Sequence, residues 1–347
     1  MEKEKNNRSS FSGKIGFVLS AAGASVGLGN IWRFPYLAAK YGGGIFLLTF
    51  GYTMIVAESA LGRMTRKSPV GAFRAFGKKA GWLSFGGWIN AIIPVLIVPY
   101  YSVIGGWVIK YFVEYLKGNG AKLAEDGYFS KFISNGLSTE ICFIVFCMFT
   151  LIIIYAGVRN GIERVSKFMM PILVVLSVII AIYSVTRPGA LAGVKYFLVP
   201  NPKNFSWMTV VTAMGQMFYS LSIAMGILVT FGSYMKKDTS IEDSTRNVEV
   251  FDTAIAIMAG LMIIPAVFAF SGGDPDTLQA GPSLMFITIP KVFDSMGFGT
   301  FAGILFFLLV LFAAVTSSIA LTESAVSTVE DELKWSRKKS TVIVGFI

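Results

Sequence analysis

One decapeptide decides the fold of this chain: Gly27-Leu28-Gly29-Asn30-Ile31-Trp32-Arg33-Phe34-Pro35-Tyr36. It lies inside an apolar stretch that is long enough to cross a bilayer. In a helix interior Gly costs about 1 kcal/mol and Pro about 3 kcal/mol relative to Ala, and a buried asparagine needs hydrogen-bond partners. A helix broken at membrane depth persists only where its freed backbone groups line protein or a water-filled cavity. The decapeptide therefore predicts a binding site in the middle of a membrane.

The composition around this stretch is that of a polytopic helical membrane protein. The 347 residues are 54% hydrophobic and 14% charged, whereas soluble domains carry about 25% charged residues. The net charge of +10 comes from short loops between apolar runs, which makes it a topology signal and not a nucleic-acid-binding surface. The chain has no histidine, which argues against His-based catalysis and most transition-metal sites. Cys142 and Cys147 share one apolar span and are expected to be free thiols.

Apolar runs of membrane-spanning length recur along the whole chain. Spans are predicted at 15–39, 43–61, 88–116, 139–156, 162–184, 206–234, 250–271 and 299–329, with a ninth beginning near Thr341. The second is short for a crossing helix. Most Lys and Arg residues lie in segments that face one side, which predicts a cytoplasmic N-terminus and a multi-pass protein of the cell's inner membrane. The loop from Ser271 to Gly299 has an apolar tail, 284–293, that is predicted to re-enter as a cap.

A second interrupted span lies five spans after the first. Within span six, residues 216–226 place two serines and a glycine at the centre of an apolar helix. Interrupted helices at matching positions indicate an inverted-repeat transporter whose site lies between the repeats. Half-helix N-termini offer amide hydrogens to an anion, and freed carbonyls suit sodium.

These motifs resemble those of the neurotransmitter:sodium symporters, most closely their bacterial amino-acid branch. The resemblance rests on the decapeptide and on four further motifs: 42–44 (GGG), 100–101 (YY), 313–318 (AAVTSS) and 330–333 (EDEL). It implies an all-α membrane protein with a leucine-transporter-type inverted repeat and broken first and sixth helices. Segment 1–14 is then a cytoplasmic N-terminal segment, 15–184 the first five-helix repeat, and 206–347 the start of the second repeat, which is incomplete in this chain.

The resemblance implies a sodium-coupled symporter that imports a hydrophobic, and by expectation aromatic, amino acid by alternating access. Two sodium sites are implied: one formed by Ser25, Asn30, Ser220 and Asp252, the other by Gly23, Val26, Ala313, Thr316 and Ser317. No organic cofactor and no catalytic residue is expected. Ser and Thr in membrane helices also bond back to their own backbone, which is the alternative interpretation of Thr316 and Ser317.

Asp252 departs from the family pattern, in which an asparagine is usual. A charged residue within a span is costly and functional by default. We hypothesise that its charge replaces the chloride that many animal members need, so that transport is independent of chloride. The alternative is an acid near a helix N-terminus that faces the cytoplasmic edge.

The resemblance also places the substrate. Gly27 stands where monoamine-carrying relatives have an aspartate, so the substrate is expected to bring its own carboxylate to the amides of Leu28 and Gly29. The remaining predicted contacts are Ser25, Ile97, Tyr101, Ile104, Tyr219, Ser220, Ser222, Ala224 and Met225. For Ile97 and Ile104 ordinary helix packing is an equal alternative.

Other residues are predicted to support or move these elements. The implied gates are Arg8 with Asp331 and Tyr234 on the inside, and Arg33 with Gln216 on the outside. Glu58 is expected to brace the broken helices, and Gly161 and Pro171 to mark a helix end that unwinds, although a helix start with a tolerated proline explains the same pair. A proton-coupled transporter of this fold or a non-transporting amino-acid sensor remains the alternative function; the oligomeric state is open.

Overall fold

The computed structural model describes residues 9–41, 52–76, 82–199, 206–274 and 281–346, and these residues form helices without strands. In chain order the helices are α1 (Lys14–Ser25), α2 (Phe34–Lys40), α3 (Tyr52–Thr65), α4 (Pro69–Phe76), α5 (Leu83–Leu116), α6 (Gly120–Ala124), α7 (Tyr128–Ile133), α8 (Gly136–Tyr155), α9 (Arg164–Val185), α10 (Ala190–Leu198), α11 (Trp207–Ser220), α12 (Ile227–Ser233), α13 (Ile241–Ser271), α14 (Ile289–Asp294), α15 (Gly299–Leu333) and α16 (Arg337–Phe346). Three π-helical segments, Gly29–Arg33, Val158–Glu163 and Leu284–Thr288, lead directly into α2, α9 and α14.

Five continuous helical stretches of the described chain are long and apolar enough to cross a membrane: Leu83–Leu116, Gly136–Tyr155, Val158–Val185, Ile241–Ser271 and Gly299–Leu333. A bent pair, Lys14–Ser25 with Gly29–Lys40, forms a sixth if it is counted as one span. The sequence pattern predicted a crossing at 43–61; the described part of this span is α3, Tyr52–Thr65, and 42–51 lie outside the described residues. Span six is likewise divided between α11 and α12.

The predicted spans and the observed helices differ most at their starts. α13 begins at Ile241, whereas the apolar run predicted residue 250. Its first turns are polar: the Ser240 side chain accepts a hydrogen bond from the Asp243 amide, and two acidic residues stabilise the helix dipole. Hydropathy detects apolar residues only, so it cannot detect such a capped polar extension. The ninth helix, α16, similarly begins at Arg337 rather than near Thr341.

Helices α13 and α15 form the centre of the bundle. In the most apolar 18-residue stretches of these two helices, 61% and 72% of the residues are buried. In the corresponding stretch of α8, which lies at the periphery, only 22% are buried. The predicted cap also packs inward: Phe286 and Phe293 are buried, and the Tyr111 hydroxyl of α5 donates to the Phe286 carbonyl at 2.9 Å. The central position of α15 places its hydroxyl-bearing residues against the break that follows α1.

Candidate functional site

The break after α1 is short and is confined to residues 26–28. α1 ends at Ser25, a π-turn resumes the helix at Gly29, and the two halves meet at 51°. Pro35 does not cause the break, because it lies seven residues beyond Leu28, in the stretch where the π-turn has already led into α2. The helix is therefore interrupted only around Gly27, and the rest of the decapeptide is helical.

The break in span six lies opposite, between Ser220 and Ile227. Ser222 and Ala224 adopt left-handed backbone angles (φ 55° and 61°) that L-residues rarely adopt. Hydrogen bonds to other segments hold this conformation. The Ser222 hydroxyl donates to the Ala24 carbonyl at 3.2 Å, and the Ala224 amide donates to Glu58 Oε1 at 2.8 Å. The geometry places Glu58 beside the break, as the sequence predicted for its bracing role. Among the described residues, Asn90 also joins the break, because its Oδ1 accepts from the Gly226 amide at 3.2 Å.

Three buried polar side chains converge where the two breaks meet. Asn30 Nδ2 donates to Asp252 Oδ1 at 2.8 Å, and Ser220 Oγ lies 2.9 and 3.1 Å from the two carboxylate oxygens. The Asn30 amide oxygen lies 3.2 Å from Ser220 Oγ and accepts from the Gly27 amide at 3.3 Å. Each of the three is at most 7% exposed. An all-oxygen set with one negative charge suits a hard monovalent cation, so these residues fit the first predicted sodium site.

A second oxygen cluster lies between the end of α1 and the middle of α15. Ser317 Oγ is 3.3 Å from the Gly23 carbonyl and 3.4 Å from the Val26 carbonyl. Thr316 Oγ1 lies 3.2 Å from the Ala313 carbonyl, and an alanine side chain at Gly23 would contact Thr316 Cβ at 3.1 Å. The structure thus brings together all five residues of the second predicted sodium site. Thr316 also bonds back to the Phe312 carbonyl at 2.9 Å, which is the interaction that the alternative interpretation expects.

A cavity with about 350 Å³ of empty space, part of it open to solvent, lies between these clusters. Its lining comes from both breaks and from α5 and α15: Ala24, Ser25, Gly27, Leu28, Gly29, Asn30, Ile97, Tyr101, Tyr219, Ser220, Ser222, Met225, Ser317 and Leu321. Ile104 and Ala224, which were predicted to line it, do not. Leu321 was missed, although it follows Ser317 by four residues and so shares its helix face.

Tyr101 and Gly27 shape the floor of this cavity. The Leu28 amide donates to the Tyr101 hydroxyl at 3.1 Å. A side-chain carbon added at Gly27 would lie 2.5 Å from Ser317 Oγ and 2.9 Å from the Tyr101 hydroxyl. A side chain at this position would therefore displace Ser317 or Tyr101, and no acidic residue is among the cavity's described lining residues.

One side of the cavity is closed by an aromatic ring and a cation. The Arg33 guanidinium lies over the Tyr219 ring at 5.0 Å, and Gln216 Nε2 donates to the Gly29 carbonyl at 3.2 Å. These predicted outer-gate residues are therefore neighbours across the two broken helices. A cation–π contact of this kind contributes about 0.5–2 kcal/mol, depending on its exposure.

The region around the start of α1 contains a network that sequence reasoning missed. Glu323 is fully buried, accepts the Tyr234 hydroxyl at 2.7 Å, and forms a two-point ion pair with Arg337 at 2.6 and 2.8 Å. Phe11 donates its amide to the Tyr234 carbonyl and packs edge-on against that ring. The sequence did contain a signal for it: Glu323 is an acidic residue within a predicted span, and such residues usually have a function. Asp331 accepts the Ser68 amide, while its predicted partner Arg8 lies outside the described residues.

Glu163 holds the start of α1 in the same region. Its carboxylate accepts the Ser12 amide at 2.8 Å and also contacts the Ser12 hydroxyl and Lys167. It ends the π-helical segment that contains Gly161, where a side chain would lie 1.9 Å from the Ile153 carbonyl. This segment is wound and α9 continues through Pro171, so the unwinding role of these two residues remains a prediction.

The Arg337→Gln variant is expected to lower the free energy of unfolding by about 3–5 kcal/mol, since it leaves the buried Glu323 carboxylate without its cation. Arg74→Gln is the matched control, because Arg74 pairs with Glu332 at 2.8 Å but is half exposed. That loss should be at most about 1 kcal/mol. Denaturant unfolding in detergent measures both. Equal losses would contradict the assignment of Glu323 and Arg337 as a buried structural pair.

Two facing broken helices whose carbonyls and hydroxyls converge on one cavity define a secondary transporter. The chain belongs to the Sodium:neurotransmitter symporter family, which it matches over residues 8–123 and 130–347. It is therefore a sodium-coupled membrane transporter and not an enzyme, as predicted. The all-α leucine-transporter-type fold is likewise confirmed by the similarity to a solved transporter.

Three proteins illustrate the relationship. The chain is 36% identical to the uncharacterized sodium-dependent transporter YhdH of Bacillus subtilis, over 97% of this chain and 76% of that protein. It is 33% identical to an uncharacterized sodium-dependent transporter of Haemophilus influenzae, over 99% and 78% of the respective chains. It is also similar to the crystal structure of MhsT in complex with L-phenylalanine, with a TM-score of 0.88 and 36% identity, covering 98% of this chain and 78% of that one.

Proposed function

We propose that this transporter imports a hydrophobic amino acid, with an aromatic side chain favoured, together with sodium at two sites and without a need for chloride. The observation that carries the proposal is the crowded Gly27, where Ser317 Oγ and the Tyr101 hydroxyl exclude any side chain. A ligand with its own carboxylate is accommodated there by the amides at the break and by the positive end of the second half-helix.

The walls of the cavity favour an apolar side chain on that ligand. Ile97, Met225 and Leu321 line it together with the Tyr219 ring. Met is flexible and polarizable and makes favourable contacts with aromatic rings. The solved relative MhsT binds L-phenylalanine, which supports the same substrate class for this chain.

The independence from chloride follows from Asp252. Its carboxylate belongs to the first oxygen set and supplies one fixed negative charge beside the proposed sodium. A buried cation needs a nearby countercharge, since an unpaired charge in a low-dielectric site is very costly. With the countercharge on the protein, a bound chloride has no electrostatic role.

The proposal also covers the membrane in which the protein lies and its orientation there. The charge asymmetry of the loops supports a multi-pass protein of the inner cell membrane with a cytoplasmic N-terminus. The network of Tyr234, Glu323 and Arg337 then lies on the inner side and the contact of Arg33 with Tyr219 on the outer side.

Uptake by proteoliposomes tests substrate class and chloride independence together. Labelled L-phenylalanine should enter with an inward sodium gradient, and unlabelled aromatic and large aliphatic amino acids should compete, whereas glycine and aspartate should not. Replacing chloride with gluconate should leave the rate unchanged. Competition by glycine alone would refute the hydrophobic substrate, and loss of uptake in gluconate would refute the role given to Asp252.

A further inference from the structure

A second cavity, of about 480 Å³, lies on the far side of α5 and α15 from the substrate cavity. Helices α5, α8, α15 and α16 enclose it, and its polar lining residues are Ser102, Cys147, Thr150, Ser318 and Thr322. No charged residue appears among its described lining residues, so an occupant is expected to be neutral.

One polar group in this cavity lacks a partner. Thr322 is 3% exposed, and its hydroxyl makes no hydrogen bond to any other described residue. The neighbouring hydroxyls are differently placed, since Thr150 Oγ1 donates to Ser318 Oγ at 3.3 Å. A buried hydroxyl without a hydrogen bond costs about 1–3 kcal/mol. Among the described lining residues, Thr322 therefore offers the cavity an unsatisfied hydroxyl beside hydroxyls that bond to each other.

The cavity reaches the surface of the described helices. Pro99 and Gly345, both exposed, lie at its edge. The adjoining face of α8 exposes large apolar side chains, including Ile144 and Met148 at 48% and 52%. An occupant that enters here comes from the hydrocarbon phase, where neutral amphiphiles concentrate.

We propose that this cavity binds a small neutral amphiphile with one hydroxyl group, which enters from the bilayer and hydrogen-bonds to Thr322. The position of the cavity connects it to transport: Ser102 follows Tyr101 of the substrate cavity, and Ser318 follows Ser317 of the second sodium cluster. An occupant would thus contact the reverse face of both helices that supply the site. The proposal is independent of which amino acid is carried.

Cys147 provides a reporter in this cavity, and Cys142 provides its matched control. Both are free, partly buried thiols of α8, but Cys142 does not line the cavity. The whole chain in lipid nanodiscs is treated with N-ethylmaleimide, and modification at each cysteine is followed by mass spectrometry. Benzyl alcohol, an aromatic ring with one hydroxyl, is the probe. It should slow modification of Cys147 saturably and leave that of Cys142 unchanged.

The Thr322→Val variant separates binding from partitioning into lipid. It keeps the shape of the side chain and removes the hydroxyl, so about threefold to tenfold more benzyl alcohol should be needed for equal protection. An unchanged Cys142 rate shows that the variant is folded. Equal slowing at both cysteines, no slowing, or undiminished protection in the variant would overturn the proposal. So would a Cys147 that does not react without probe, since the cavity would then be closed to a small neutral molecule.

Discussion

The Asp252→Asn variant is expected to need at least about tenfold more sodium for half-maximal L-phenylalanine binding, because hydrogen bonds to a charged group are worth about 1.5–3 kcal/mol. The carboxylate is 7% exposed and lies within 3.1 Å of both Asn30 and Ser220. Asparagine keeps the shape and one acceptor oxygen, so the loss reports on charge rather than on packing. Chloride should partly restore the affinity by supplying the missing negative charge.

The control for this experiment is Glu249→Gln on the same helix. Glu249 is a half-buried acid one turn before Asp252, and no hydrogen bond joins it to the oxygen sets in the described structure. Its removal changes the charge equally, yet sodium dependence should stay within about twofold, since long-range interactions of partly exposed charges are weak. Binding is titrated with sodium in chloride and in gluconate. A similar shift in both variants, or none in Asp252→Asn, would contradict the assigned role.

Enlarging Gly27 is expected to weaken substrate binding roughly tenfold to a hundredfold, the range for overpacking a tight site. In Gly27→Ala the new carbon would lie 2.5 Å from Ser317 Oγ and 2.9 Å from the Tyr101 hydroxyl. Both atoms belong to the proposed site, so relieving the clash displaces sodium and substrate ligands together. Isothermal titration with L-phenylalanine in saturating sodium measures the change.

Gly215→Ala is the matched glycine control. Gly215 lies on α11 near the second break, and a side-chain carbon there meets nothing within 4 Å. Alanine is also the better helix former, by about 1 kcal/mol. Affinity should be unchanged in this variant, and stability equal or higher. If Gly27→Ala bound L-phenylalanine as well as Gly215→Ala does, the steric argument for a ligand-borne carboxylate would be wrong.

The broken helices were predictable because their sequence is energetically unsuited to an apolar helix. Gly27 and the pair Ser220 and Ser222 signal a break whatever their surroundings, and the resemblance to a family assigns oxygen ligands around them. The structure brings these residues together, while their roles as ligands remain predictions. The helix propensity of residues at a break depends little on the rest of the chain, so a break can be predicted from the sequence.

What sequence reasoning missed depends on packing between distant segments. Leu321 lines the cavity only because α15 faces the first break, and the pair of Glu323 with Arg337 forms across the gap between α15 and α16. The polar first turns of α13 were missed because hydropathy is blind to capped helix ends. Ile104 is an ambiguous case, since its apolar character fits core packing and substrate contact equally well and the sequence alone cannot separate the two.

The central claim is that sodium and an amino acid bind together at the two facing helix breaks. The most direct test is equilibrium binding of labelled L-phenylalanine to the purified chain in sodium chloride and in potassium chloride at equal ionic strength. Binding should be saturable in sodium and absent in potassium, and the substrate should raise sodium affinity by the same factor, as linkage requires. Equal binding in both salts would contradict the account.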